Sequence, residues 1–489
     1  MKNTDNKRIS SVVARATLFS SVLLACGMAG CVNAPTPKSH SESWVPPKDS
    51  QKPDTVWQEI RTRKPDLEKP LSLLGLVDLA LENNPTTAKS WNEARAAAEQ
   101  VRYAEGYFMP SINAVVGASR VKVSADPESF DESKLAYGPG LQLSYLVCNF
   151  GGGRHAAVEQ ALQTVYAANF AFNRAIQDTL LSVEVAYYGV VSAQAGVDAA
   201  ATNSLDAKAI LDATQERRDA GLGVDLEVLQ AQVGYDQSLF ALASAEGQKK
   251  MADGLLAHAL HLPADTQINV VQPETALPAS LSGQDVRLLI DEALARRPDI
   301  SAMRASLAAN EYAIRVARAS RWPSLYLNGS VANDYFELYG ENSRGSADTD
   351  WAYTGGVSLK WNLFDGLQTL SSVRTAEARA DAMRAQLNQA ELGASTEIWA
   401  SFQKYETALK KYQFSSMALK SATASREMAF ESYNAGVKTL LDLLSAETQL
   451  AQARAQNIAV KQEVFTALAY LTHVTGLIEK GHKGIQAQK

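Results

Sequence analysis

Apolar positions along this chain follow two rhythms, and blocks of each rhythm occur twice. One rhythm has period two, as in Leu141, Leu143 and Tyr145 and again in Val357, Leu359 and Trp361. That alternation predicts strands with one apolar face. The other has a seven-residue repeat: Val158, Val165 and Phe172, then Leu162, Ile176, Val183 and Val190. That spacing predicts a long helix with a coiled-coil-like seam, and the abundant alanine around it allows close helix approach. No proline occurs between Pro139 and Pro263, and none after Pro323. Arg154 to Asp219 is therefore predicted as one helix, roughly 100 Å long at 1.5 Å per residue, with Gln368 to Asn434 as its mate.

The remaining elements are placed around these. A helix from about Thr86 to Tyr107 stops ahead of Met109-Pro110, because a residue before proline disfavours the helical region. Strands are predicted over Ser111–Val121 and Gly138–Phe150, flanking an acidic loop from Ser124 to Ser133. A second pair, Ser324–Ala332 and Tyr353–Phe364, flanks a Gly/Asn/Asp-rich stretch from Asn333 to Asp350. After turns at Gly221 and Gly436, shorter helices return over Asp225–Leu262 and Thr439–Thr475. The early short helix and the returning helix together match the long one, so each copy can form an antiparallel pair of one continuous and one broken helix.

The duplication is direct. Matching Pro85 to Pro298 brings Asp78 onto Asp291 and Leu81 onto Leu294, and at the same offset Pro110-Ser111-Ile112 meets Pro323-Ser324-Leu325. Ala220-Gly221-Leu222 meets Ala435-Gly436-Val437, and Leu226-Glu227-Val228-Leu229 meets Leu441-Asp442-Leu443-Leu444. The organisation expected is 1–30 signal peptide, 31–70 tether, 71–262 first repeat, 263–284 linker, 285–476 second repeat and 477–489 tail.

Composition narrows the classes. At 489 residues and 46% hydrophobic, the chain is not generally disordered. A net charge of −6 without a Lys/Arg block argues against nucleic-acid binding. No internal stretch reads as the roughly 18 apolar residues of a spanning helix, so a membrane span has to be made another way. Lys2, Lys7, Arg8 and Arg15 precede an apolar run that ends in Met28-Ala29-Gly30-Cys31. This resembles a bacterial lipoprotein signal, with Cys31 carrying lipid after cleavage and Cys26 the competing site. Residue 32 is valine rather than aspartate, which favours outer-membrane export. Seven prolines between Pro35 and Pro70 suit an extended tether. Cys148 has no internal disulfide partner outside the signal and reads as a packing residue.

Four strands cannot close a barrel in lipid. Two chains supply eight, which close around side chains; three supply twelve, which leave a lumen. The competing reading is a periplasmic structural or adaptor protein with helical hairpins and no pore. The two-fold repeat, the lipobox, and the signatures Tyr145-Leu-Val-Cys-Asn-Phe-Gly-Gly-Gly-Arg154 and Trp361-Asn-Leu-Phe-Asp-Gly366 resemble the TolC-like outer-membrane factor family from about Leu71 to Gly476. The resemblance implies a mainly α fold with a membrane β-barrel, a homotrimer with 12 strands, and a helical tunnel across the periplasm. It also implies a periplasmic adaptor and an inner-membrane transporter as partners. The expected function is the passive exit duct of a tripartite efflux or type I secretion system in the Gram-negative outer membrane.

Candidate functional residues cluster at Gly436-Val437-Lys438-Thr439-Leu440-Leu441-Asp442-Leu443-Leu444-Ser445. On local grounds alone Thr439 is an N-cap and Asp442 a first-turn acid. The resemblance matches Asp442 to a gate aspartate and Lys438 to its basic partner. Ser445 stands where some members carry a second aspartate, and Glu227 is the first-copy equivalent of Asp442. The tips Gly221-Leu222 and Gly436-Val437 match adaptor-docking turns. Asn149-Phe150-Gly151-Gly152-Gly153-Arg154 lacks the ending of a phosphate loop and reads as a strand-to-helix corner. His258 and His261 lack a ligand set for metal. Tyr107, Phe108, Trp322, Trp351 and Tyr353 are candidates for interfacial girdles. No nucleophile–base pair is evident, so neither an enzyme nor a cofactor is expected, apart from the lipid on Cys31.

Overall fold

A computed structural model of the chain describes residues 70–123, 132–272, 286–340 and 343–476. The expected signal peptide, Cys26, Cys31, all but the last residue of the expected tether, and the C-terminal tail lie outside the described residues. So do residues 273–285 of the linker region and most of the acidic loop.

The first copy runs α1 (Leu73–Asn83), α2 (Pro85–Gly106), β1 (Ser111–Val123), β2 (Glu132–Asn149), α3 (Gly153–Asp219) and α4 (Asp225–Ala259). The second runs α5 (Val286–Arg296), α6 (Pro298–Ala319), β3 (Ser324–Gly340), β4 (Ser343–Lys360), α7 (Gln368–Asn434) and α8 (Leu440–Val474). The long helices α3 and α7 are each 67 residues. One window of α3 reaches a mean hydropathy of 1.2, apolar enough to cross a membrane by composition, which the sequence reading did not anticipate. α3 packs along α2, α4, α6 and α8.

The helix breaks have a common cause. Asn84 and Arg297 precede Pro85 and Pro298, and both adopt extended backbone, as the proline ring requires. Each then pins the break to a long helix. Asn84 donates from Nδ2 to Thr179 Oγ1 at 2.6 Å. Arg297 donates to Glu397 of α7 at 2.8 Å, to Asp299 at 2.7 Å and to the Val474 carbonyl at 3.1 Å. Around the first break, Leu76, Ala80, Val183, Tyr187, Leu256 and Leu260 form one core; Ala293, Ile398, Tyr405, Val464 and Leu471 form its counterpart. Burying one such leucine stabilises by about 2 kcal/mol. Of the predicted seam, Val183 and Val190 are buried, whereas Val158, Leu162, Val165 and Phe172 are half-buried.

The strands form one antiparallel sheet in the order β1-β2-β3-β4, leaving β1 and β4 as open edges. Its faces differ. Ile112 pairs with Leu143, Leu141 with Val331, Tyr145 with Leu327, and Leu327 with Val357 on one face. On the other, Ser144 donates to Asn328 at 3.4 Å and Asn328 to Ser358 at 3.2 Å. Two expectations are corrected here. The stretch Asn333 to Asp350 is mostly strand: pairing continues from Asn333↔Trp351 to Gly340↔Ser343, because Tyr335-Phe-Glu-Leu-Tyr339 carries strand propensity. Conversely, β4 stops at Lys360, so Trp361–Phe364 lies in the turn, where Trp361 Nε1 donates to the Arg321 carbonyl at 3.1 Å.

β2 bulges between Leu146 and Cys148. The extra residue leaves carbonyls off the ladder, and Arg154 collects them, donating to Leu146 at 2.6 Å and Val147 at 2.8 Å. Asn149 closes the corner by accepting from Gly151 and Gly153 at 3.1 and 3.3 Å. The glycine-rich signature is thus a sheet-to-helix joint. Phe108 is a packing residue there, against His155 at 4.9 Å, while Tyr107, Trp322, Trp351 and Tyr353 are exposed. His258 and His261 lie with ring centroids 6.4 Å apart at the end of α4.

Candidate gate at the helix turns

α3 and α7 end in the same way. Gly221 and Gly436 both have φ of 74°, the left-handed conformation that glycine adopts without Cβ strain. Gly221 N donates to Arg218 O at 2.9 Å and Leu222 N to Arg217 O at 2.9 Å; Gly436 N donates to Tyr433 O and Val437 N to Ser432 O, also at 2.9 Å. These paired bonds satisfy carbonyls that a helix end would otherwise leave open. Each turn leaves an aliphatic side chain at its apex: Leu222 is 72% and Val437 79% exposed.

The next helices begin differently. At α8, Thr439 accepts from Asp442 N at 3.3 Å, and Asp442 Oδ2 accepts from Thr439 N at 3.1 Å and from its hydroxyl at 2.7 Å. This reciprocal cap satisfies two otherwise orphaned N–H groups. The Thr439 hydroxyl and N–H, with Lys438 nearby, hold the Asp442 carboxyl below its ordinary range. Lys438 makes no ion pair among the described residues. Ser445 follows Asp442 on the same exposed face. At α4, the N-cap is Val224, which has no side-chain oxygen to offer. Glu227 holds the third helical position, as Asp442 does in α8, and its carboxylate lies back over Gly223, where an added Cβ would stand 3.4 Å from Oε2. The structure therefore places Lys438, Asp442 and Ser445 together at one turn and Glu227 at the other, with Gly221-Leu222 and Gly436-Val437 at the apices.

Behind the turns lies bracing that the sequence reading did not identify. Tyr433 is 2% exposed, and its hydroxyl lies 3.3 Å from Thr214 Oγ1. Arg217 Nη1 donates to the Tyr433 carbonyl at 2.9 Å, and the guanidinium lies 4.8 Å over the ring. Further from the tips, Arg426 pairs with Glu447 at 2.7 Å and Asp206 at 3.4 Å, and Arg454 pairs with Asp206 at 3.1 Å. All of these bonds except Arg426–Glu447 cross between copies. Their only sequence signal is negative: at the offset joining the two turns, Arg217 meets Ser432 and Thr214 meets Ala429, so the copies diverge where they interlock.

Four likenesses to known proteins fit this architecture. The sequence matches the profile of the outer membrane efflux protein family over residues 76–260 and 289–477. It is 27% identical over 404 residues to protein CyaE of Bordetella pertussis, covering 82% of this chain and 83% of that one. It is 28% identical over 395 residues to the pyoverdine export outer membrane protein OpmQ of Pseudomonas aeruginosa, covering 79% and 80%. The fold superposes on the outer-membrane channel OprN with a TM-score of 0.70 at 23% identity, covering 86% of this chain and 95% of that one. With both repeats matched and the duplicated helix–strand architecture in place, this chain belongs to the outer membrane efflux protein family.

Proposed function

We propose that three copies of this chain close one duct through the outer membrane, gated at the periplasmic helix turns. Membership of the family makes the protein an outer-membrane channel of the efflux and secretion class. The observation that carries the trimer is the four-stranded sheet, apolar on one face, polar on the other and unpaired at both edges. In lipid those edges have to pair, and twelve strands are the smallest multiple here that leaves an aqueous lumen.

The duct is passive and needs no cofactor or catalytic group. Cargo choice and energy belong to an inner-membrane transporter, reached through a periplasmic adaptor that docks on Leu222 and Val437. Pyoverdine export is the role in OpmQ's name; a small organic solute of that kind is one cargo class for this chain. Asp442, three times around the axis, forms an acidic constriction that favours cations, with Lys438, Ser445 and Glu227 beside it. Cleavage before Cys31 and lipidation of that cysteine tether the chain to the membrane.

The test is the oligomeric mass in detergent together with single-channel conductance, with and without Asp442→Ala. A trimer of small conductance that rises in the variant supports duct and gate together. A monomer without conductance sinks the duct.

A further inference from the structure

A cleft of about 430 Å³ opens between the start of α3 and the end of α6. Gly151 and His155 line one side; Tyr312, Arg315, Arg318 and Trp322 line the other. Tyr312, Arg315 and Arg318 recur every three residues on one face of α6, and Trp322 follows in the turn between α6 and β3. Their depth follows from the strands: β2 ends at Asn149 and β3 begins at Ser324. The cleft therefore lies directly beneath the sheet, at the level of lipid headgroups. β2 and β3 are also the central strands, so the helices joined to them stand away from the open edges where further copies pair.

The charges there are unequally committed. Arg154 is spent on backbone carbonyls of the joint. Arg318 gives one Nη2 to Glu377 at 2.7 Å and keeps its other N–H groups. Arg315 is exposed, makes no ion pair among the described residues, and lies 4.8 Å over the Tyr312 ring. Glu159, among the described residues the one carboxylate lining the cleft, stands one helical turn beyond His155. Trp322 is 59% exposed. The walls are close-set: a Cβ on Gly151 would lie 2.7 Å from the Ala319 backbone. A guanidinium fork without an acidic partner matches phosphate geometry, and an exposed indole is favoured at the headgroup boundary.

We propose that this cleft holds the phosphate headgroup of one phospholipid per chain, drawn from the periplasmic leaflet. Arg315 is the principal phosphate contact, Arg318 the second, and Trp322 lies along the glycerol–acyl boundary. The inference rests on the sheet being the membrane-spanning segment. Native mass spectrometry of the full chain in detergent tests it, with phosphatidylglycerol, phosphatidylethanolamine or inorganic phosphate added separately. The expected result is one lipid adduct per chain and none with inorganic phosphate. Arg315→Gln weakens the lipid adduct about tenfold, Arg315→Lys weakens it less, and Lys420→Gln on the exposed face of α7 leaves it unchanged. Equal lipid retention in wild type and Arg315→Gln overturns the site; binding of inorganic phosphate with equal avidity overturns the lipid as its source. Conductance of the same samples separates the two readings, since a conducting protein without a specific lipid sinks this site and leaves the channel standing.

Discussion

Arg217, near the end of α3, donates to the carbonyl of Tyr433, near the end of α7, at 2.9 Å, and its guanidinium covers the same residue's ring at 4.8 Å. This contact ties the two repeats together immediately behind the candidate gate. Arg217→Ala removes one charge-assisted bond and its stacking, so the local opening free energy should fall by about 1–2 kcal/mol. Amide exchange over Tyr433–Thr439 should accelerate accordingly, and conductance should rise. Unchanged exchange would mean that the tips are held elsewhere.

Thr439 is the hinge of the cap on α8. Thr439→Ala removes the hydroxyl that both accepts from and donates to Asp442, and the helix start should lose about 1 kcal/mol. Thr439→Ser should restore it. The cap's pH dependence has a definite sign. The folded state holds Asp442 below its ordinary value of 3.8, so the stabilisation is present above that value and is lost as pH falls through the folded pKa. Exchange at the first turn of α8, measured from pH 6 downward, reads this directly.

Glu184 behaves in the opposite sense. Burial in the wall of α3 pushes its carboxyl from 4.5 up to about 7, and burial, then the Glu184 charge, pushes Tyr188 up to about 12. A raised carboxyl means the folded state binds the proton more tightly than the unfolded chain does. The fold therefore loses stability as pH rises from 4.5 through 7. Glu184→Gln should remove that loss, on the order of 3 kcal/mol at most. Thermal melts at pH 5 and pH 8 should differ in wild type and converge in the variant. A difference that persists in the variant would assign the pH dependence to another group.

Arg297 is 4% exposed between Asp299 and Glu397. Burial would raise Asp299, but the Arg297 bond and charge, with Arg174, outweigh it and hold the carboxyl down. Arg297→Ala leaves Asp299 with Arg174 alone, leaves Glu397 without the guanidinium and frees the Val474 carbonyl, which should cost about 1–3 kcal/mol. Arg297→Met with Asp299→Asn and Glu397→Gln should recover part of that. Denaturant melts of the two variants decide it, and equal stability of Arg297→Ala and wild type would show the network to be dispensable.

The long helices were legible because proline-free stretches and a seven-residue rhythm persist over tens of residues. The mate Gln368–Asn434 was placed residue for residue, since Gly366 and Gly436 bound it. Strand ends were less legible. Asn333 to Asp350 is rich in residues that favour turns, yet register with the neighbouring strand carries it into the sheet. Tyr335-Phe-Glu-Leu-Tyr339 supplies strand propensity in β3, and pairing with it draws the polar first half of β4 into the ladder. The Trp361 signature looked like more strand, but a long-range bond to the Arg321 carbonyl holds it in the turn.

By itself, the sequence determined the duplicated order of helices and strands, the glycine turns, and the places of Thr439 as N-cap and Asp442 in the first turn of α8. The turns and the cap depend on residues within one turn of one another, where backbone sterics and local hydrogen bonds decide the conformation, and the helices depend on a rhythm sustained along a single element. Only the tertiary structure decided that Arg217 clasps Tyr433, that Arg297 reaches Glu397, and that Arg315 stands without an acid beneath the sheet. Those pairings join residues far apart in the chain, and long flexible side chains choose partners by the distance and burial that packing creates.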